Sequence, residues 1–487
     1  MAIGVSRAGR GRAGSALRAA MSCRRTIAFV FVLLLSPTAR AEVVSGRVFL
    51  DADRNGRFDR GEGLAGVPVS DGVAFTRTDA NGLYRIDAKL HELLPPDKGP
   101  ILTVSFPSGT WPARGWFRRV PRAARPRPVD FPLRPDAQKL PFVFVHATDP
   151  HVPRAGRDKF PAFRGEIAPL AARVPFCILT GDCVDMADMR PYARAKAEWD
   201  LFAQQARDFP LPLFTIPGNH DPAGVNCLRG WDRKHPMYGY GFYWRIVGPL
   251  RWSFNYAGVH FVGIDYARKV GPKWVWGVPK SAVTWLGRDL KLRPPGSRVL
   301  LFVHYPHGVK ELKDLLRERK VEHIFAGHTH TVSTGEYAGT PRTLSGSVSC
   351  PLPGFGERPG YRFVRVQADG LESFYKPTGE AVSIRLEHPP RDRRIRPGDA
   401  IRGMFCDPDG RAKKVTVTLG GVSSDVIIRR KPLFSSFTAR PDLTRVKPGL
   451  RKIVVAISDG RRTWRHEQRC LVGLPKRSPN GQARPAK

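Results

Sequence analysis

Five short apolar runs between Phe142 and Ala326 are each followed closely by histidine, aspartate or asparagine, and they constrain this chain more than any other feature. The runs Phe142-Val143-Phe144-Val145, Phe176-Cys177-Ile178-Leu179, Leu213-Phe214-Thr215-Ile216, 299–303 and His323-Ile324-Phe325-Ala326 are β-branched or aromatic in character and predict buried strands. Helical patterns over 190–208, 281–292 and 309–319 separate several of them. Strands alternating with helices predict a layered α/β domain. In such folds loops distant in sequence converge at the carboxyl edge of the sheet, where ligands usually bind.

The motifs at those edges are Asp149-Pro150-His151, Gly181-Asp182-Cys183-Val184-Asp185, Gly218-Asn219-His220-Asp221, His304 and Gly327-His328-Thr329-His330. Imidazole, carboxylate and side-chain amide are the donors that suit divalent transition metals such as manganese, iron or zinc. A two-metal site needs a carboxylate shared between cations ~3.5–4 Å apart. Asp182 is the candidate bridge. Of the other histidines, His146, His235, His260, His307 and His323 match no ligand slot and read as structural. The aromatic stretch Trp231, Tyr238, Tyr240, Phe242, Tyr243, Trp244 and Trp252 reads as packing of an insertion, with walling of a substrate cleft as the alternative.

The set resembles the calcineurin-like metallophosphoesterase family over roughly Leu140 to Tyr375, including the segments Ser253-Phe254-Asn255-Tyr256 and Trp285-Leu286. That resemblance implies an αββα core over 139–376. It also implies one metal held by Asp149, His151 and His330, Asp182 as the bridge, and a second metal held by Asn219, His304 and His328. His220 would be the proton donor or phosphate contact, oriented by Asp185. Asp185 stands where purple acid phosphatases carry tyrosine, so a ferric–tyrosinate centre is not expected. The implied activity is hydrolysis of an anionic phosphoester by metal-activated hydroxide, with a phosphodiesterase as the leading reading. Phosphomonoesterase, nucleotidase or pyrophosphatase activity, or a non-enzymatic envelope adhesion module, are the alternatives.

On either side the texture turns to short alternating strands, predicting β-sandwiches over 42–111 and 377–475. The Pro/Arg-rich stretch 112–138 reads as a linker, and 476–487 as a basic tail. Within the first sandwich Asp51, Asp53, Asn55, Arg57, Asp59 and Glu62 follow the twelve-residue calcium-loop spacing, with glycine at Gly56 for the turn. With Gly63-Leu64-Ala65-Gly66-Val67-Pro68-Val69, this segment resembles the calcium-binding B-type repeats of bacterial surface proteins.

The net charge is +37. Part of it lies in a leader whose Arg7, Arg10, Arg12, Arg18, Arg24, Arg25 and Arg40 meet no acidic residue, yet the rest is still strongly basic. Such a surplus favours anionic partners, nucleic acid among them only as substrate, or else marks a generally basic surface. Arg24 and Arg25 before the apolar run 26–35, then Ala39-Arg40-Ala41, predict a secretory leader over 1–41 and export to the periplasm or cell exterior. No later run reaches the ~18 apolar residues of a membrane helix. In an oxidising compartment Cys406 and Cys470 are the expected disulfide of the C-terminal sandwich.

Overall fold

The computed structural model describes residues 42–95, 97–121, 127–152, 159–227, 229–350, 358–389 and 394–473. The expected leader 1–41 and basic tail 476–487 lie outside them. No helix of the described residues is long and apolar enough to cross a membrane.

Strands Phe142–Ala147, Cys177–Thr180 and Leu213–Ile216 run parallel in a five-stranded sheet, which Gly360–Gln367 and Gly370–Pro377 complete antiparallel. A second, six-stranded sheet has the order Trp252–Tyr256, Val259–Ile264, Arg298–Val303, His323–Ala326, Thr340–Leu344, Ser333–Tyr337. Side chains alternate across a strand, and the alternation sorts them into layers. Phe144 points between the sheets onto Phe261, Phe302 and Phe325, with ring centroids 5.5 to 5.9 Å apart. Val143 and Val145 point the other way, into a core shared with helices Phe160–Ile167 and Tyr192–Arg207. Helices Lys280–Leu292 and Lys310–Arg319 cover the outer face of the second sheet through Trp285, Leu286, Leu312 and Leu316. The expected αββα layering is therefore present.

The N-terminal region forms two four-stranded sheets. Glu42–Leu50 lies between Leu83–Ala88, antiparallel, and Phe131–Pro135, parallel. The stretch 112–138, expected as a linker, instead supplies Phe117–Arg119 and Phe131–Pro135 to those sheets, with Phe131 and Leu133 fully buried. Its prolines and arginines hid strands only three to five residues long. Nor does this region stand apart. Phe106 stacks on Phe254, Trp111 on Phe176 and Trp116 on Phe214, so one apolar core runs from the N-terminal sheets into the α/β domain. Arg251 crosses the same boundary. Fully buried, it ion-pairs with Asp265 and donates to Gly72 O at 3.0 Å and Glu92 Oε1 at 3.1 Å.

The C-terminal strands form one continuous eight-stranded sheet running from Ser383–His388 to Arg394–Ile395, folded over a core of Ile401, Phe405, Val417, Phe437, Ile453 and Val455. The expected disulfide is absent: Cys406 and Cys470 are both free and buried. Strand alternation explains why. Phe405 faces the sheet's own core, so Cys406 faces the α/β domain beside Phe434, while Cys470 lies in the core that Cys406 turns away from.

Candidate metal centre

Every predicted ligand loop follows directly on a strand end, at the carboxyl edges of the two facing sheets. The loops meet so closely that side chains are excluded at their glycines. A Cβ on Gly327 would collide with Thr148 Oγ1 and Asp149 Oδ2, and one on Gly218 with the carboxylate of Asp182. Asp149, His151, Asp182, His328 and His330 all have φ between 46° and 70°. Non-glycine residues in that left-handed region are strained and collect where surrounding structure holds them for a function.

Two groups of donors result. In the first, Asp149, His151 and His330 gather, with His330 Nε2 3.3 Å from Asp149 Oδ1 and 3.1 Å from His151 Nε2. In the second, His304 Nε2 stands 3.3 Å from Asp182 Oδ2, 3.2 Å from His328 Nδ1 and 3.1 Å from Asn219 Oδ1. Asp182 Oδ2 is also 3.8 Å from His151 Nε2, so the same oxygen adjoins both groups. All seven predicted ligands are therefore brought together.

The hydrogen bonds behind the rings decide what the group can hold. His151 Nδ1 faces Asp185 O at 3.1 Å, His304 Nδ1 faces Thr180 O at 2.7 Å, and His330 Nδ1 faces Cys350 O at 2.6 Å. A carbonyl accepts only, so in each ring Nδ1 carries the proton and Nε2 turns a bare lone pair inward, the arrangement that orients metal-ligating histidines. Lone pairs ~3 Å apart repel unless a cation or proton lies between them. Asp149 Oδ1, buried, accepts no hydrogen bond. The donor set fits divalent cations.

The electrostatics agree. Burial opposes charge on His304 and His330, yet Asp182 and Asp149 override it and raise them to about 9 and about 10. Burial also opposes ionisation of Asp149, but His330 and His151 hold its carboxyl well below the usual range. By contrast His328, half-buried beside His304, is lowered by desolvation to about 4. Without a cation, the two carboxylates favour positive charge at His304 and His330, while burial disfavours it at His328.

His220 differs from the expectation in its partner. Its Nδ1 bonds Asp188 Oδ1 at 2.8 Å, not Asp185. Asp185 instead pairs with Arg190 Nη2 at 3.1 Å and serves the site through its carbonyl on His151. Asp188 also accepts from Asn226 Nδ2 at 2.8 Å, so it is held from two sides. Sequence reasoning missed it because the short 3-10 turn Ala187–Met189 that aims it carries no motif of its own. It also missed the work of Asp221, which accepts from the backbone N–H of Asp182, Cys183 and Gly218 at 2.7–3.0 Å and so joins two ligand loops.

The other histidines stay outside the two groups. His146 bridges Thr180 and Ser345, His260 lies between Asn255 and Asp289, and His323 bonds Thr343. Of the aromatic stretch, Trp231, Tyr238, Tyr240, Phe242 and Tyr243 are buried in the core. In the N-terminal loop, oxygens of Asp53, Asp59 and Glu62 lie within 4.8 Å of one another. Asp51 accepts from Gly56 N at 3.1 Å, and Asn55 Oδ1 from Arg57 N at 2.6 Å, so those two oxygens serve the turn.

Residues 142–332 match the family model described as calcineurin-like phosphoesterase. The chain is similar to a protein of Arcobacter nitrofigilis named "Probable glycerophosphodiester phosphodiesterase", at 27% identity over 32% of this chain, and it spans 57% of that relative's length. It is also similar to a "Probable cyclic nucleotide phosphodiesterase" of Rhodopseudomonas palustris, at 25% identity over 47% of this chain and 89% of the relative. Among solved structures it is similar to the GAP50 anchor of the inner membrane complex of Plasmodium, at 14% identity and a TM-score of 0.33, covering 50% of this chain and 86% of that one. A likeness that weak adds nothing to the argument. Ligand loops, facing sheets and matched residues coincide, and residues 142–332 are a calcineurin-like phosphoesterase domain.

Proposed function

We propose that this chain is an exported, dinuclear-metal phosphodiesterase. The single observation that carries the reading is Asp182 Oδ2 standing between two groups of inward lone pairs. Asp149, His151 and His330 would hold one cation, Asn219, His304 and His328 the other, with Asp182 between them. Divalent manganese, iron or zinc bound there supplies Lewis acidity, offsetting phosphoryl charge and lowering the pKa of water for attack on phosphorus.

The chain's own residues do the rest. Carbonyls of Thr180, Asp185 and Cys350 fix the ring orientations. Asp188 binds His220 at Nδ1, leaving Nε2 to carry a proton to the departing alkoxide. Both relatives named above carry phosphodiesterase names, which supports a diester over a monoester. The basic leader supports export. The clustered carboxylates of Asp53, Asp59 and Glu62, with the spacing of 51–62, support a structural calcium ion in the N-terminal region.

The test is hydrolysis of bis(p-nitrophenyl) phosphate and p-nitrophenyl phosphate by metal-stripped and manganese-loaded protein. Metal-dependent turnover with preference for the diester is expected. Preference for the monoester would replace the diesterase reading, and undiminished turnover after stripping would end the metal-centred account.

A further inference from the structure

Exposed cations that form no ion pair among the described residues lie on two linked projections, one of which is rooted beside the metal centre. Tyr266 packs on His304 and His328, with ring centroids 5.5 and 5.9 Å apart. Directly after it the chain leaves as the hairpin Ala267–Val270 and Lys273–Trp276. It returns at Gly277, whose N–H donates to Tyr266 O at 3.0 Å, and Val278 N then donates to His307 O at 2.7 Å. His307 lies two residues beyond Tyr305, whose ring also packs on His328, at 5.3 Å. Both feet of the hairpin therefore stand beside the second ligand group.

Pairing of Arg268 with Val275 and of Val270 with Lys273 puts those four side chains on one face, and Lys269 and Trp274 on the other. Trp274 packs on Tyr240 at 5.5 Å, and Lys269 lies over its ring. That contact joins the hairpin to a second basic projection. The loop between Ala223 and Gly239 is closed by their reciprocal backbone hydrogen bonds of 2.8 and 2.9 Å, beginning two residues after Asp221. It is pinned by Trp231, whose Nε1 donates to Arg190 O at 2.8 Å.

Arg229, Arg233, Lys234, Arg268, Lys269 and Lys273 are all exposed. None of them forms an ion pair with a described residue. The loop's single carboxylate, Asp232, accepts from the Lys234 backbone, and no acidic residue occurs from Tyr266 to Arg288. Ordinary surfaces intersperse the two signs. Crowded like charges repel one another, and an anion relieves that repulsion. A lone diester brings one negative charge, which the metal centre already takes up.

We propose that the substrate is a linear phosphodiester polymer: one linkage lies on the metal centre while neighbouring phosphates are held by this hairpin and loop. The proposal rests on the phosphodiesterase reading and deepens it. Each four-residue arm of the hairpin spans about 14 Å, enough to follow a phosphate backbone beyond the scissile position. The shared chemistry is a repeating backbone phosphate, whether the polymer is a single-stranded nucleic acid or a polyol phosphate.

The experiment uses the full chain loaded with manganese, and three substrates: bis(p-nitrophenyl) phosphate, an oligothymidylate and a poly(glycerol phosphate). Wild type is compared with Arg268→Glu/Lys273→Glu on the open face, and separately with Arg229→Glu/Arg233→Glu, each checked for an unchanged melting transition. The ratio of polymer to small-diester kcat/KM is expected to fall on the order of tenfold or more, and the salt dependence of polymer KM to flatten by about 0.7 per cation removed. Which polymer wild type cleaves identifies the source of the phosphates. An unchanged ratio in both variants overturns the proposal, as does failure of wild type to cleave either polymer while it cleaves the small diester. Failure on the small diester as well would instead defeat the phosphodiesterase reading.

Discussion

At the residue scale, the candidate ligands were legible because metal chemistry restricts donor types and the strand ends restrict their places. Asp149, His151, Asp182, Asn219, His304, His328 and His330 all converge as expected. The partner of His220 was not legible, since choosing between Asp185 and Asp188 depends on a turn of three residues. This difference makes a prediction. Asp188→Ala frees the His220 ring, the proposed proton donor, and general acid catalysis is typically worth 10²–10⁴-fold. We expect a loss of about 10²-fold on diesters with alkyl leaving groups and a smaller one on nitrophenyl diesters, which need little protonation. Asp185→Ala should show no such dependence on leaving group, because its side chain serves Arg190. Equal losses for the two variants on both substrates would return the orienting role to Asp185.

At the scale of elements, the central strands were readable from their apolar runs, whereas Phe117–Arg119 and Phe131–Pro135 were masked by proline and arginine. The first of the central strands carries a buried histidine with a consequence for stability. His146, on Phe142–Ala147, is fully buried between Thr180 and Ser345; burial and the nearby Arg362 push it down to about 3. Its folded pKa lies below the unfolded value of ~6.5, so its contribution is complete above that pH and is lost as pH falls from 6.5 towards 3. The loss amounts to about 1.4 kcal/mol per pH unit. Urea titrations of metal-stripped protein at pH 7 and pH 5 should therefore show His146→Gln losing less stability on acidification than wild type. Parallel losses would place the acid sensitivity elsewhere. Sequence alone could call His146 structural but could not show that it is held neutral.

On the scale of the whole molecule, the flanking β regions were legible as strands but not as partners of the core, because which aromatic meets which depends on tertiary packing. Phe106, Trp111 and Trp116 cover Phe254, Phe176 and Phe214. A chain lacking residues 42–135 would expose those rings and is expected to aggregate; a soluble, active truncation would contradict the shared core. If the loop 51–62 binds calcium, millimolar calcium should raise the melting temperature of the full chain, since a ligand selective for the folded state stabilises it by mass action. Asp59→Ala should abolish that rise, and equal melting with and without calcium would remove the ion from the account. The most direct test of the central claim is metal content set beside activity. Stripped protein titrated with manganese should take up two equivalents at the catalytic site and gain diester hydrolysis only as the second binds, and Asp182→Asn should lose both the second equivalent and the activity. Full activity at one equivalent, or an active Asp182→Asn enzyme, would contradict a centre built around a shared Asp182.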